Sequence, residues 1–345
     1  MKHFCLEKIK NTIYIIMEKK FLLLLLLLGI SAMGFSQNSN NEFISNGKPL
    51  ALIFINFHNA FSDGETMPAF ENTRAYFGYE YNFSEEFYAK VVFDVGNPKD
   101  GAGHELSAYL KNAFVQYSLG DFKAYFGMIS TTQFKVSEKL WGNRYMLKSH
   151  QDEYKFNSSA DLGINIDYKI TDFISVDFSV INGEGYKKVQ GDDILRPGVG
   201  TTIKPLANIL ARVFVDQMGN NTRQKSLATL LAYTSEKFVL AGEYNYQTNY
   251  KMIEGQDRFG TSFFAWYKPS EKVKLFARYD GLNSKKLSGE IVEWNIIEDG
   301  SLMLAGFELS PVKGVKLTPN VRSWNPAKEG VEKTTFLYLN CELKF

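Results

Sequence analysis

The chain has 345 residues and carries 39 Lys and Arg against 38 Asp and Glu, a formal charge of +1. So even a balance gives no argument for nucleic-acid binding. Its mean hydropathy of −0.21 excludes a bundle of membrane helices, but it fits a sheet that is polar at every second residue.

At the N-terminus, Glu18-Lys19-Lys20 precedes the apolar run Phe21 to Leu28, and small residues follow up to Ser36. A charged start, a short apolar stretch and a small-residue end make a secretory signal peptide. The run is also shorter than the roughly 20 residues of a spanning helix. We expect Met17 as the initiator and cleavage after Ser36, giving a signal peptide over 1–36, a short periplasmic segment over 37–49 and a barrel over 50–345. No Cys follows the apolar run, so a lipid anchor is not expected. Cleavage would leave 34 basic against 36 acidic residues, with Cys341 as the one remaining cysteine. No disulfide or cysteine metal site can then form within one chain.

Beyond this segment, apolar residues recur with period two, the signature of half-buried strands. Phe87, Ala89, Val91, Phe93 and Val95 alternate with Tyr88, Lys90, Val92 and Asp94. Leu162, Ile164, Ile166 and Tyr168 alternate with Asp161, Gly163, Asn165 and Asp167, and Ile174 to Val180 repeats the pattern. So do Ile209 to Val215, Phe238 to Tyr246, Val273 to Tyr279 and Val315 to Val321. In several of these the polar face bears both signs of charge, which would be costly in a dry core but suits a watery lumen. Aromatics stand at 15%, as 28 Phe and 19 Tyr against 4 Trp. Tyr81, Tyr117, Tyr168, Tyr244, Tyr267, Tyr279 and Phe345, near strand ends, are expected to form girdles at the membrane faces.

Short links at 82–86, 119–121, 171–172, 205–207, 235–237, 269–271 and 311–314 alternate with longer ones. The longer ones are 61–69, 96–106, 131–158, 184–195, 218–224, 249–257, 283–299 and 325–333. This asymmetry predicts an antiparallel transmembrane β-barrel of about sixteen strands, with short periplasmic turns and long extracellular loops. One hairpin around 190–225 stays open. A barrel of this size leaves an aqueous channel. Two positions fit badly. Lys111 falls on the lipid face of its strand, where it would have to snorkel from the rim, and Pro319 predicts a bulge or a strand end.

In the last segment Thr335, Leu337, Leu339, Cys341, Leu343 and Phe345 share one face. It resembles the terminal strand by which the outer-membrane assembly machinery recognises its clients, with Phe345 as the signal residue. Further stretches resemble the phosphate- and polyphosphate-selective porins, in a compact form seen in Bacteroidetes. These are Leu110 to Gly120, Phe126-Gly127, Glu138-Lys139-Leu140-Trp141-Gly142-Asn143-Arg144-Tyr145, Ala160 to Gly163, Asn182 to Tyr186 and Phe276 to Asp280. The resemblance implies a sixteen-stranded pore in the outer membrane of a Gram-negative cell, assembled as a homotrimer. The family's basic ladder for phosphate has no residue-by-residue match here.

The longest loop, 131–158, is the third long one. In such porins the third loop folds inward, so the resemblance implies that it narrows the channel. Lys135, Lys139, Arg144, Lys148, Asp152 and Glu153 are its candidate constriction charges. The strand register places Arg74, Lys90, Arg212, Lys274, Arg278, Asp280 and Arg322 on the lumen wall, among near-equal numbers of both signs. That balance predicts a weakly selective pore. The nearest histidines and serines make no catalytic arrangement, since His104 and His150 are in loops and His58 points inward. No cofactor motif appears. The expected function is passive diffusion of small hydrophilic or ionic solutes, phosphate or other anions among them. The alternative is a non-conducting barrel with a structural or adhesion role.

Overall fold

The computed structural model describes residues 47–96 and 106–345. The expected signal peptide, most of the expected periplasmic segment and His104 lie outside the described residues. The first eight strands are β1 (Gly47–Ser62), β2 (Glu65–Asn82), β3 (Phe87–Gly96), β4 (Ser107–Leu119), β5 (Phe122–Ser130), β6 (Ala160–Lys169), β7 (Ile174–Ile181) and β8 (Arg196–Leu206). The other eight are β9 (Ile209–Met218), β10 (Gln224–Thr234), β11 (Phe238–Thr248), β12 (Arg258–Ser270), β13 (Val273–Ser284), β14 (Gly300–Val312), β15 (Val315–Pro326) and β16 (Thr334–Lys344). Each pairs antiparallel with the next, and β1 pairs with β16 to close the barrel. The hairpin around 190–225 is accounted for by β8, β9 and β10.

Closure matters because an open edge would present unpaired N–H and C=O groups to lipid, each costing several kcal/mol. At the seam Ile53 faces Leu343, Ile55 faces Cys341 and Phe57 faces Leu339. The Phe345 backbone N–H donates to the Ala51 carbonyl at 3.0 Å. Leu337, Leu339 and Phe345 are exposed on the outer face, while Asn340 between them is buried inside. The apolar half of each alternation thus forms the membrane-facing belt. No described helix is long and apolar enough to cross a membrane.

Local chemistry corrects three expectations. The connection at 61–69 is a tight hairpin: β1 runs to Ser62 and β2 starts at Glu65. Asp63 and Gly64 between them take φ of 51° and 74°, the two left-handed positions that an Asp-Gly turn supplies. Pro319 does not end its strand. It pairs with Leu339 on one side, and on the other the ladder to β14 skips from Asn320 to Leu317 without a change of register. The third correction is Lys111. Val92 pairs with Asn112 and Phe93 with Leu110, so Lys111 is an extra residue in a β-bulge. Lys111 and Asn112 both turn inward and are buried, while Leu110 faces out.

Candidate functional site: the lumen and its inserted loop

Between β5 and β6 the chain leaves the wall and folds into the barrel. It forms α1 (Lys135–Trp141), capped by Gly142 in the left-handed region at φ 65°, and the single turn α2 (His150–Glu153). Irregular backbone at this depth needs hydrogen-bond donors from elsewhere, and arginines of the wall provide them. Arg212 donates to the Thr132 carbonyl at 2.9 Å and Arg278 to that of Lys148 at 2.6 Å. Arg322 donates to the Met146 carbonyl at 2.7 Å, and Arg258 to those of Tyr154 and Lys155 at 3.0 and 2.6 Å. Arg196 reaches the Phe156 carbonyl and the Asn157 side chain.

Each of three such guanidiniums keeps a carboxylate beside it, as a buried charge requires. The pairs are Arg196–Asp216 at 2.8 Å, Arg212–Asp177 at 2.6 Å and Arg278–Asp280 at 2.6 Å. Lys274 pairs with Glu308 at 2.9 Å and donates to Asn143 Oδ1 at 2.5 Å. The Tyr145 hydroxyl donates to Glu308 at 2.9 Å and meets the Thr318 hydroxyl.

Apolar contacts complete the docking. Trp141 is fully buried, edge-on to Phe264 and Phe276 at 5.5 and 6.1 Å between ring centroids. Trp141, Tyr145, Met146 and Leu147 join inward residues from Leu210 round to Leu304 and, on the other side, Phe54, Tyr76 and Val92 in one cluster. His150 lies between Asn245 Nδ2 and the Gly281 carbonyl, each 3.1 Å from one ring nitrogen. Burial pushes its pKa down to about 4, so it is neutral at physiological pH.

The other face of the loop is polar and partly open. Arg144 pairs with Glu138 at 3.2 Å and Asp152 at 3.0 Å, and Lys148 with Asp152 at 3.7 Å. Burial alone would raise the Asp152 carboxyl, but Arg144 and Lys148 hold it below its ordinary range. On the wall side, Arg74 pairs with Asp94 at 2.9 Å, and Lys90 with Glu80 at 2.7 Å. A second long loop enters here. Asp161 accepts backbone N–H groups of Gly183 and Gly185 at 2.7 and 3.2 Å, which bends the β7–β8 connection inward. Its Tyr186 hydroxyl then donates to Asp94 at 2.6 Å. Lys111 lies among these groups, within electrostatic reach of Arg144, Asp94, Asp152 and Glu138. Together they form an eyelet between the inserted loop and β2–β4.

Two of the cavities on the short-turn side, of about 720 and 370 Å³, are both lined by Lys139 and Leu140. The larger adds Lys123, Lys135, Lys169, Lys204 and Arg212 against Asp121, Asp167 and Asp177. The smaller adds Lys268, Lys272, Lys274 and Lys316 against Glu271 and Glu308. Both are net basic. A third cavity, of about 330 Å³, is lined by Glu85, Glu86 and Lys90.

The structure therefore divides the residues singled out from sequence. Arg144, Lys148 and Asp152 come together at the eyelet, with Arg74 facing them; Glu153 is in the same helical turn as Asp152. Lys135, paired with Asp167 at 3.5 Å, and Lys139 line the basic cavities. Arg212, Lys274, Arg278, Asp280 and Arg322 are on the lumen wall as expected, but behind the loop and holding it. Sequence reasoning missed Lys111, Tyr186, Arg196, Arg258 and Glu308. The even-numbered register of β8, β12 and β14 could have flagged Arg196, Arg258 and Glu308. For Lys111 it pointed the wrong way.

No protein-family model matches the chain, and no curated protein does. Solved structures do resemble it. The outer membrane channel DcaP of Acinetobacter baumannii is 13% identical, with TM-score 0.63, over 90% of this chain and 99% of that one. An anion-selective porin from Comamonas acidovorans is 10% identical, with TM-score 0.63, over 88% and 100%. OmpT, an outer membrane protein of Vibrio cholerae in trimer form, is 14% identical, with TM-score 0.56, over 87% and 99%. At such identities the likeness speaks for the fold: the chain shares with these outer-membrane proteins a closed barrel of sixteen antiparallel strands.

Proposed function

We propose that the protein is a passive diffusion channel of the outer membrane for small hydrophilic or ionic solutes, with no enzymatic step, and that the loop between β5 and β6 forms its constriction. The observation that carries this reading is the two-sidedness of that loop. One face is fastened to the wall by buried arginines, while the other carries Arg144, Lys148 and Glu138, partly exposed. The basic cavities on the short-turn side favour anions over cations as the solutes that leave or enter there. Phosphate is one member of that class, in keeping with the resemblance to phosphate-selective porins. As in the trimeric structural neighbour, the assembly is read as a homotrimer. Proteoliposomes containing the purified protein should swell in isosmotic solutions of small sugars and amino acids; liposomes that hold the folded barrel and do not swell would contradict the reading.

A second reading is favoured by one observation. The apolar cluster reaches from Phe54 and Tyr76 through Tyr145 and Trp141 to Phe264 and Leu304, spanning the lumen. A barrel plugged there would be structural or adhesive. The same swelling assay separates the two.

A further inference from the structure

At the eyelet the cations are not equally neutralised. Arg74 has Asp94, Arg144 has Glu138 and Asp152, and Lys148 shares Asp152. Among the described residues, no carboxylate lies within ion-pair distance of Lys111. Its ammonium instead sits over the Tyr76 ring, 4.7 Å from the centroid and 3.4 Å from the hydroxyl oxygen, with the Tyr186 ring at 5.6 Å. Tyrosine faces attract an ammonium electrostatically without cancelling its charge. Lys111 is thus the cation of this cluster that has no carboxylate beside it.

The residue is there because of backbone geometry. Without the bulge, the alternation of β4 would aim Lys111 at lipid, where a cation is expensive. The bulge turns it, together with Asn112, to the inner face of the barrel beside the inserted loop. Charge decides selectivity where a pore is narrow and its walls are of low dielectric.

We propose that Lys111, left without a carboxylate between Tyr76 and Tyr186, is the charge that sets the eyelet's preference for small anions. This rests on the channel reading above. The tyrosines hold the ammonium in place without cancelling its charge.

Reversal potentials in a potassium chloride gradient, recorded in planar bilayers on the full barrel, test this. The wild type should favour chloride. Lys111→Met should lower the chloride-to-potassium permeability ratio severalfold, Lys111→Glu should carry it past unity towards potassium, and Lys111→Arg should retain the wild-type ratio. Heat-modifiable migration on gels verifies that each variant is folded. Where Lys111→Glu fails to insert, Lys111→Met decides. An unchanged ratio in a conducting Lys111→Met channel overturns the proposal, as does a Lys111→Arg ratio that falls with that of Lys111→Met. A folded wild type that passes no current would instead remove the channel reading itself, before any variant is made.

Discussion

The two faces of the inserted loop are built on different principles. Towards β8–β15, arginines are buried beside carboxylates and spend their remaining donors on loop carbonyls, while Trp141 fills the space between. Towards β2–β4, the charges form a looser cluster with partial exposure: the side chains of Arg144 and Lys148 keep 19% and 32% of their accessible surface. Buried pairs lose several kcal/mol when one partner is removed, whereas exposed ones contribute little. Substitutions on the docked face should therefore change stability and loop position, and those of the partly exposed Arg144 and Lys148 should change selectivity more than stability.

The largest effect should come from Arg278→Ala. It strands Asp280, fully buried, and leaves the Lys148 carbonyl without its donor. Breaking such a pair costs about 3–5 kcal/mol. Thermal unfolding of the barrel should shift down and single-channel conductance should rise as the loop loosens. An unshifted transition would break the comparison.

Acid should act on the same face through His150. Its folded pKa of about 4 lies below the ordinary 6.5, so the docked loop holds the neutral ring and a released loop would take up a proton. Docking is at full strength above about pH 6.5 and weakens as pH falls towards 4, by about 3 kcal/mol over that window. Loop protection from protease, followed against pH, measures this; His150→Gln should flatten the profile.

A smaller loss is expected from Gly260→Ala. A Cβ there would come within 2.4 Å of His150 Cε1 and 2.8 Å of the Gly281 carbonyl oxygen. Overpacking of this kind costs about 1–3 kcal/mol, readable as a lower unfolding temperature. The smallest change in stability, within about 0.5 kcal/mol, belongs to Lys139→Glu. Lys139 is exposed in both basic cavities, so the variant should reduce anion preference slightly at an unchanged unfolding temperature. A large stability loss there would contradict the division of the two faces.

Much of the barrel was legible because its signal is local. Alternation and turn residues lie within ten or so positions of each other, and they located fourteen of the fifteen connections in type and order. The Asp63-Gly64 turn was just as local, but the polar stretch around it looked like a loop. Lys111 could not be placed, because a bulge is a choice of hydrogen-bond register between β3 and β4 and leaves no mark in the alternation. The same limit applies to the wall charges. Arg74 and Arg278 look alike in sequence, each on an inward position near an acid. Only the packing of a loop more than a hundred residues away from Arg278 makes one an eyelet residue and the other an anchor.

The most direct test of the account is single-channel recording of the purified wild type in planar bilayers. A barrel narrowed but not closed by the loop should show discrete ion-conducting steps, smaller than those of Arg278→Ala. A silent bilayer containing folded wild-type barrel would contradict it and leave the loop as a plug.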